Sequence, residues 1–290
     1  MRVACSRNLA RSNYVYTGMR ATRFAIGAIA LSTGLFVGQT TSNFSHIIVV
    51  DGRQVHVSVA GRGRPAVIFE AGFVNDLRSW AKVQPEIAKS CATISYDRAG
   101  IGESQETPLP RTGEQIAKDL HSTLRQLGVT PPYVLVGHSA GGLYIRSFAR
   151  QYPNEVGGMV FVDAVLPEYL RWLRANDVEH WQELEKIGTE SGDVVRAQWL
   201  GLEPTLKEIE RSDALPRVPM AVLVSDQSDL PFKPHTAMEA FLRTQREFAT
   251  QLSGAKIEVI AAGHELPSLT PDKVSSAILE VVKKVKLAPQ

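Results

Sequence analysis

Two cysteines in 290 residues, Cys5 and Cys91, are too few for a disulfide framework or a cysteine-based metal site. Charge of one sign is also missing. Lys and Arg number 32 against 30 Asp and Glu, a formal net charge of +2, and no basic patch of the kind nucleic acid requires stands out. Long hydrophobic runs are absent as well: the best, Phe24–Gly38, has fifteen uncharged residues, short of the roughly 20 that span a bilayer as a helix.

The near-neutral total hides an asymmetry. Residues 1–40 carry five Arg and no acid, which leaves 27 basic against 30 acidic residues in the rest. Arg20 and Arg23 precede the 24–38 stretch, and small or polar residues follow from Gly38 to Ser42, so residues 1–42 read as a secretory signal. The expectation is export, periplasmic or secreted. An uncleaved anchor holding the chain to a membrane through residues 24–38 is the alternative, and Met19 would start a more compact form of the same signal. Cys5 would leave with that segment, and Cys91, beside a predicted strand, reads as a small core residue.

With 44% hydrophobic residues, the remainder has ample material for a large core. Its organising stretch is Tyr133-Val-Leu-Val-Gly-His-Ser-Ala-Gly-Gly-Leu-Tyr-Ile-Arg-Ser147. Tyr133 to Val136 suit a buried strand, while Leu143, Tyr144, Ser147 and Phe148 recur at helical spacing. Between them lies Gly-x-Ser-x-Gly. A serine on so sharp a strand-to-helix turn needs glycines on either side, here Gly137 and Gly141, and its hydroxyl then stands clear of the sheet. The N–H of Ala140 would point to where an oxyanion forms.

Around this turn the pattern is regular. Strands are predicted at 46–50 and 54–59, a hairpin closed by Asp51-Gly52, with His46 and His56 as surface or packing residues. A buried strand at 66–70 leads into Ala71-Gly72-Phe73, and the Phe73 N–H is the candidate second oxyanion donor. One helix is predicted over Asp76–Lys89, then a strand at 92–96 and a loop in which Asp97 and Arg98 form a bracing pair. Its Gly100-Ile-Gly102 lacks the third glycine of a dinucleotide site. A helix from Thr112, the turn at Ser139 and a strand at 158–163 follow, then about fifty residues without strand pattern, rich in Trp, Leu, Glu and Arg. Strands return at 219–225 and 256–260, with helices at 234–252 and 270–284.

Strand and helix alternate, so the expected fold is α/β: a doubly wound, mostly parallel eight-stranded sheet with an inserted helical cap. The expected division is 43–165 and 217–290 for the core and 166–216 for the cap. Packing against a partner subunit is the other use such an insertion could have.

Gly137-His-Ser-Ala-Gly141, Tyr96-Asp-Arg-Ala-Gly-Ile-Gly-Glu-Ser104, Val162-Asp163 and Ala262-Gly-His264 together resemble the α/β-hydrolase fold superfamily across residues 46–286. The resemblance implies a serine hydrolase with Ser139 as nucleophile. It implies an acid at a strand end: Asp229 first, in the usual place after the strand at 219–225, with Asp163 and Asp226 as alternatives. A serine at 139 also disfavours the epoxide hydrolase and haloalkane dehalogenase chemistries, whose members carry aspartate there. Of the histidines that follow the serine, His180 lies in the expected cap and His235 heads a helix, which leaves His264, in a strand-end loop, as the base. The expected substrate is a small or medium-sized carboxylic ester. Amide or peptide hydrolysis of the prolyl aminopeptidase kind, and ligand binding without catalysis, are the alternatives. No cofactor or metal is expected.

Overall fold

The computed structural model describes residues 44–211, 215–227, 235–252 and 254–287. The expectations for residues 1–42, and for Asp229, lie outside these. Strands β1 (Phe44–Val50), β2 (Arg53–Ala60), β3 (Ala66–Glu70), β4 (Thr93–Tyr96), β5 (Tyr133–His138), β6 (Val156–Val162), β7 (Met220–Ser225) and β8 (Lys256–Ile260) form one sheet. Its order is β1-β2-β4-β3-β5-β6-β7-β8. The first two pairings, β1 with β2 and β2 with β4, are antiparallel, and all the others are parallel. The hairpin between β1 and β2 turns on Asp51 and Gly52, both at positive φ (48° and 78°), which matches the twist of the strands it joins.

The helices are α1 (Gln84–Ala88), α2 (Gly113–Gln126), α3 (Gly141–Gln151), α4 (Pro167–Asn176), α5 (Val178–Glu190), α6 (Asp193–Arg211), α7 (His235–Gln251), α8 (Leu266–Leu269) and α9 (Pro271–Leu287). Parallel strands covered on both faces should be apolar throughout, and β3 and β5 are buried at every residue. Alternate side chains nonetheless go to different cores. Val134 and Val136 join Trp80, Ile87, Val274 and Ile278 under α1 and α9. Tyr133 and Leu135 join Ile116, Leu120, Leu143 and Phe148 under α2 and α3. Each such side chain contributes roughly 1.5–3 kcal/mol by leaving water. Cys91 is buried with the first group, as expected.

Two local expectations need correction. The helix predicted over 76–89 is a 3-10 turn, Leu77–Trp80, followed by the separate short α1. Pro85, at the start of α1, has no N–H with which to continue the earlier turn. Its stripe survives, because Leu77, Trp80, Val83 and Ile87 are all buried. Asp97 and Arg98 are not a pair: Asp97 accepts from the N–H groups of Leu77 and Glu103 at 2.8 and 3.0 Å, and from His56 Nδ1 at 2.7 Å, while Arg98 turns to Glu70. His56 is therefore a buried packing residue. His46 is exposed.

Helices α4, α5 and α6 lie between β6 and β7, in the segment without strand pattern. Helix α6 is tied into the core at the beginning of α2. The first N–H groups of any helix lack partners within it. In α2, the Gly113 N–H donates to Thr205 Oγ1 at 2.7 Å and the Glu114 N–H to Glu208 Oε2 at 2.8 Å, both from α6, while the Gln115 N–H donates to Thr112 Oγ1 at 3.2 Å. Among the described residues, no helix is long and apolar enough to cross a membrane.

Candidate active site

Strand β5 runs out at His138 and α3 begins at Gly141, so the chain must reverse within three residues. Ser139 makes the turn at φ 53°, a left-handed conformation that a residue with a Cβ adopts only under constraint. The constraint is visible. Its N–H donates to Val162 O at 3.2 Å, and its carbonyl accepts from the N–H groups of Gly142 and Val165 at 3.0 and 2.9 Å. The flanking glycines are needed for close approach: a Cβ on Gly137 would stand 2.6 Å from Gly141 O, and one on Gly141 2.3 Å from Glu70 O. Ser139 is left half-buried on the carboxyl side of the sheet.

His264 sits in the loop after β8. That loop is laced to the end of β7 by Asp226 N–H to Ile260 O at 3.1 Å and Gln227 N–H to Ala262 O at 3.2 Å. The imidazole Nε2 lies 2.9 Å from Ser139 Oγ, and Nδ1 lies 2.6 Å from Asp163 Oδ2. Asp163 is fully buried, also at positive φ (43°), immediately after β6. Its carboxylate is received by the neighbouring strand: Ser225 donates its N–H to Oδ1 at 2.7 Å and its hydroxyl to Oδ2 at 2.8 Å. Three side chains from three strand ends thus form one hydrogen-bonded line.

Among the described residues the acid beside His264 is therefore Asp163, the first of the two alternatives. Asp229 lies outside the described residues, and Asp226 is exposed to solvent. Asp163 reaches His264 because β6 lies between β5, which carries the serine, and β7, which steadies the histidine loop.

His138, between the first glycine and Ser139, is completely buried, and its ring centroid lies 4.9 Å from that of His264. Its Nε2 is 3.0 Å from His264 O, a carbonyl that can only accept, so Nε2 carries the proton. Burial foremost, and the neighbouring His264 after it, hold its pKa below the ordinary histidine value. A neutral ring at 138 puts no competing charge beside His264. Sequence reasoning missed His138 and Ser225. The sequence carried a signal for the first, since it stands inside the turn motif, and none for the second, a single serine at the end of an apolar strand.

The loop that carries one expected oxyanion donor passes beside the serine. Gly72 lies against the serine so closely that a Cβ there would be 3.2 Å from Ser139 Cβ. Phe73 follows in the same loop, and Ala140 opens α3. Neither Phe73 N–H nor Ala140 N–H has an acceptor among the described residues. A hydroxyl, a base that can take its proton, a buried carboxylate that can stabilise the resulting imidazolium and two open amides are the parts that acyl transfer uses.

Residues 65–186 match the family model for the alpha/beta hydrolase fold. The protein YqjL of Bacillus subtilis is 33% identical over 118 residues, which cover 40% of this chain and 47% of that protein. An AB hydrolase superfamily protein of Gibberella zeae is 33% identical over 121 residues, 39% of this chain and 38% of that one. The chain thus spans less than half the length of these curated relatives. Among solved structures, a thermophilic esterase from Thermogutta terrifontis superposes with a TM-score of 0.62 at 25% identity, covering 83% of this chain and 99% of that one. Its sheet order, its matching segment and these likenesses give the chain the α/β-hydrolase fold.

Proposed function

We propose that this protein is a serine hydrolase that cleaves a carboxylic ester through an acyl-enzyme. The observation that carries the reading is the line Ser139 Oγ, His264, Asp163, with separations of 2.9 and 2.6 Å. In the first half-reaction His264 Nε2 takes the Ser139 proton as Oγ bonds to the ester carbon. The carbonyl oxygen becomes an anion facing the Phe73 and Ala140 amides. Collapse breaks the bond to the alcohol oxygen, which leaves with the proton from His264. Water then gives a proton to His264 and attacks the acyl carbon, and Ser139 leaves, recovering that proton. Asp163 stays ionised throughout and supports the imidazolium.

The likeness to an esterase supports an ester as substrate. Helices α4–α6 act in this reading as a cap that shapes the pocket and limits water, and residues 1–42 as the export signal, which amino-terminal sequencing of the mature protein would test.

The function is tested on the full chain with aryl esters of increasing acyl length, alongside Ser139→Ala and His264→Ala. The expected result is turnover in the parent and a loss of about 10⁴-fold or more in kcat for each variant. Turnover in Ser139→Ala equal to the parent's would overturn the mechanism, and cleavage of amides alone would overturn the ester.

A further inference from the structure

The segment that brings Phe73 to Ser139 is gripped from behind by one side chain. Arg98, 2% exposed, donates from Nη1 to Glu70 Oε1 at 2.6 Å and to Ala71 O at 2.9 Å, and from Nη2 to Gly72 O at 2.5 Å. Glu70 is buried too, its other carboxylate oxygen is held by the Tyr96 hydroxyl, and the guanidinium lies 5.1 Å from the Tyr144 ring centroid. The guanidinium thus contacts three consecutive residues, Glu70 to Gly72.

The peptide that joins Gly72 to Phe73 is planar and trans, so its C=O and its N–H point to opposite edges. Gly72 O accepts from Arg98 Nη2 and, at 3.2 Å, from the Asn75 N–H. With the carbonyl committed to the buried guanidinium, the Phe73 N–H is directed away from it and stays open. A peptide that follows glycine can turn over with little steric resistance. Turned over, it would offer the reaction's oxyanion a carbonyl dipole of the wrong sign.

The same guanidinium is reached from the inserted helices. Gln198, 1% exposed on α6, accepts from Arg98 Nη2 through Oε1 at 3.2 Å, and its Nε2 finds no acceptor among the described residues. Its amide is therefore oriented by Arg98. We propose that Arg98 is a positioning residue that fixes the Gly72–Phe73 peptide with its N–H toward the oxyanion, and that Gln198 makes this setting depend on where α6 lies. The proposal rests on the serine-hydrolase reading above and adds to it a link between the inserted helices and the chemical step.

The test compares the full-length parent with Arg98→Met, Arg98→Lys, Gln198→Ala and Gln198→Glu, each checked for parental circular dichroism. Loss of one oxyanion donor lowers kcat about 10²–10³-fold. Arg98→Met is expected to show that loss with KM changed less than about threefold, and Arg98→Lys to recover part of it. An aryl trifluoromethyl ketone, whose adduct carries the oxyanion, should weaken in parallel with kcat, while the carboxylic acid product binds as before. The pH profile of kcat/KM should keep its shape, because His264 is untouched. Gln198→Ala and Gln198→Glu should lower kcat roughly three- to tenfold with the same signature.

Parental kcat and ketone affinity in folded Arg98→Met would overturn the role of Arg98. Parental values in both Gln198 variants would overturn the link to α6. Where Arg98→Met does not fold, the lysine variant decides the first point and the glutamine variants the second. If the parent hydrolyses no ester, the esterase reading fails on its own. The positioning role is then read from the rate at which a fluorophosphonate labels Ser139 in parent and Arg98→Met, and equal rates, or no labelling at all, overturn it.

Discussion

The polar contacts at the carboxyl edge of the sheet and those on the inserted helices differ in what surrounds them. Asp163 and Ser225 are wholly buried, and the hydrogen bonds that join them, His264 and Ser139 run between strand ends whose backbones are themselves paired. On α4 and α6, Arg171 meets Glu210 at 2.6 Å and Arg174 meets Glu203 at 3.3 Å, but these side chains are 41–60% exposed. Such pairs contribute about 0–1 kcal/mol each, and salt screens them. The insertion is held instead by apolar burial, of Leu170 and Leu173 of α4 and Leu206 and Ile209 of α6, and by the hydrogen bonds that Gln198, Thr205 and Glu208 of α6 accept from the core. Between them α5 buries only His180 and Gly188, and the segment leaves Val178, Ile187 and Leu200 in solvent. A constellation that tolerates little displacement is thus placed on backbone, while the inserted helices are attached by side chains.

The contrast breaks first, and most visibly, at the acid. Asp163→Asn should lower kcat about 10³–10⁴-fold, by removing the partner that orients the His264 ring, whereas Asp226→Asn, at the solvent-exposed neighbouring strand end, should leave kcat within twofold. Steady-state kinetics on one aryl ester distinguishes them. If the Asp226 variant fell and the Asp163 variant did not, the site would have been assigned to the wrong strand.

Next in size is a steric change in the same region. Gly141→Ala would push a methyl group to within 2.3 Å of Glu70 O, a backbone atom of β3 that cannot step aside. A destabilisation of about 2–4 kcal/mol is expected, visible as a lowered denaturation midpoint.

A smaller effect appears in the core away from the site. Burial pushes the Cys91 thiol up to about 11 from 9.0. Its folded pKa exceeds its unfolded one, so its contribution is intact below pH 9 and fades as the pH rises towards 11. The loss should amount to about 2–3 kcal/mol across that window. Denaturant titrations at both pH values should show it in the parent and not in Cys91→Ala. At neutral pH the folded thiol should resist iodoacetamide.

Smallest of all should be Glu203→Gln on α6, which removes a partner of Arg174 and Lys207. A change under about 1 kcal/mol in the midpoint, further reduced by added salt, would sharpen the contrast, and a larger one would mean that the surface pairs do hold the insertion.

How much of this was legible in the sequence follows the range of the interaction involved. The turn at Ser139 is a local event, announced by β-branched residues before it, helical spacing after it and glycines on both sides. The loop carrying His264 was legible for a similar reason. Asp163 was harder, since Asp226 also follows a strand, and only the order of β5, β6 and β7 in the sheet brings the end of β6 to the imidazole. Arg98 misled because it adjoins Asp97 in sequence, while a buried guanidinium seeks a buried carboxylate wherever the fold supplies one. Glu70 held that information: an acid closing the otherwise apolar run Ala66-Val-Ile-Phe has to find a cation.

The tie between α6 and the beginning of α2 bears on attempts to re-engineer this protein. Exchanging lids among hydrolases treats the inserted segment as a module, cut at two loops and replaced. Here the segment also carries the acceptors, Thr205 and Glu208, on which the Gly113 and Glu114 amides depend. A graft that lacks equivalents would leave a core helix frayed at its origin, and its failure would be mistaken for a poor fit to substrate. A chimera that keeps residues 201–211 and exchanges only what precedes them avoids that error.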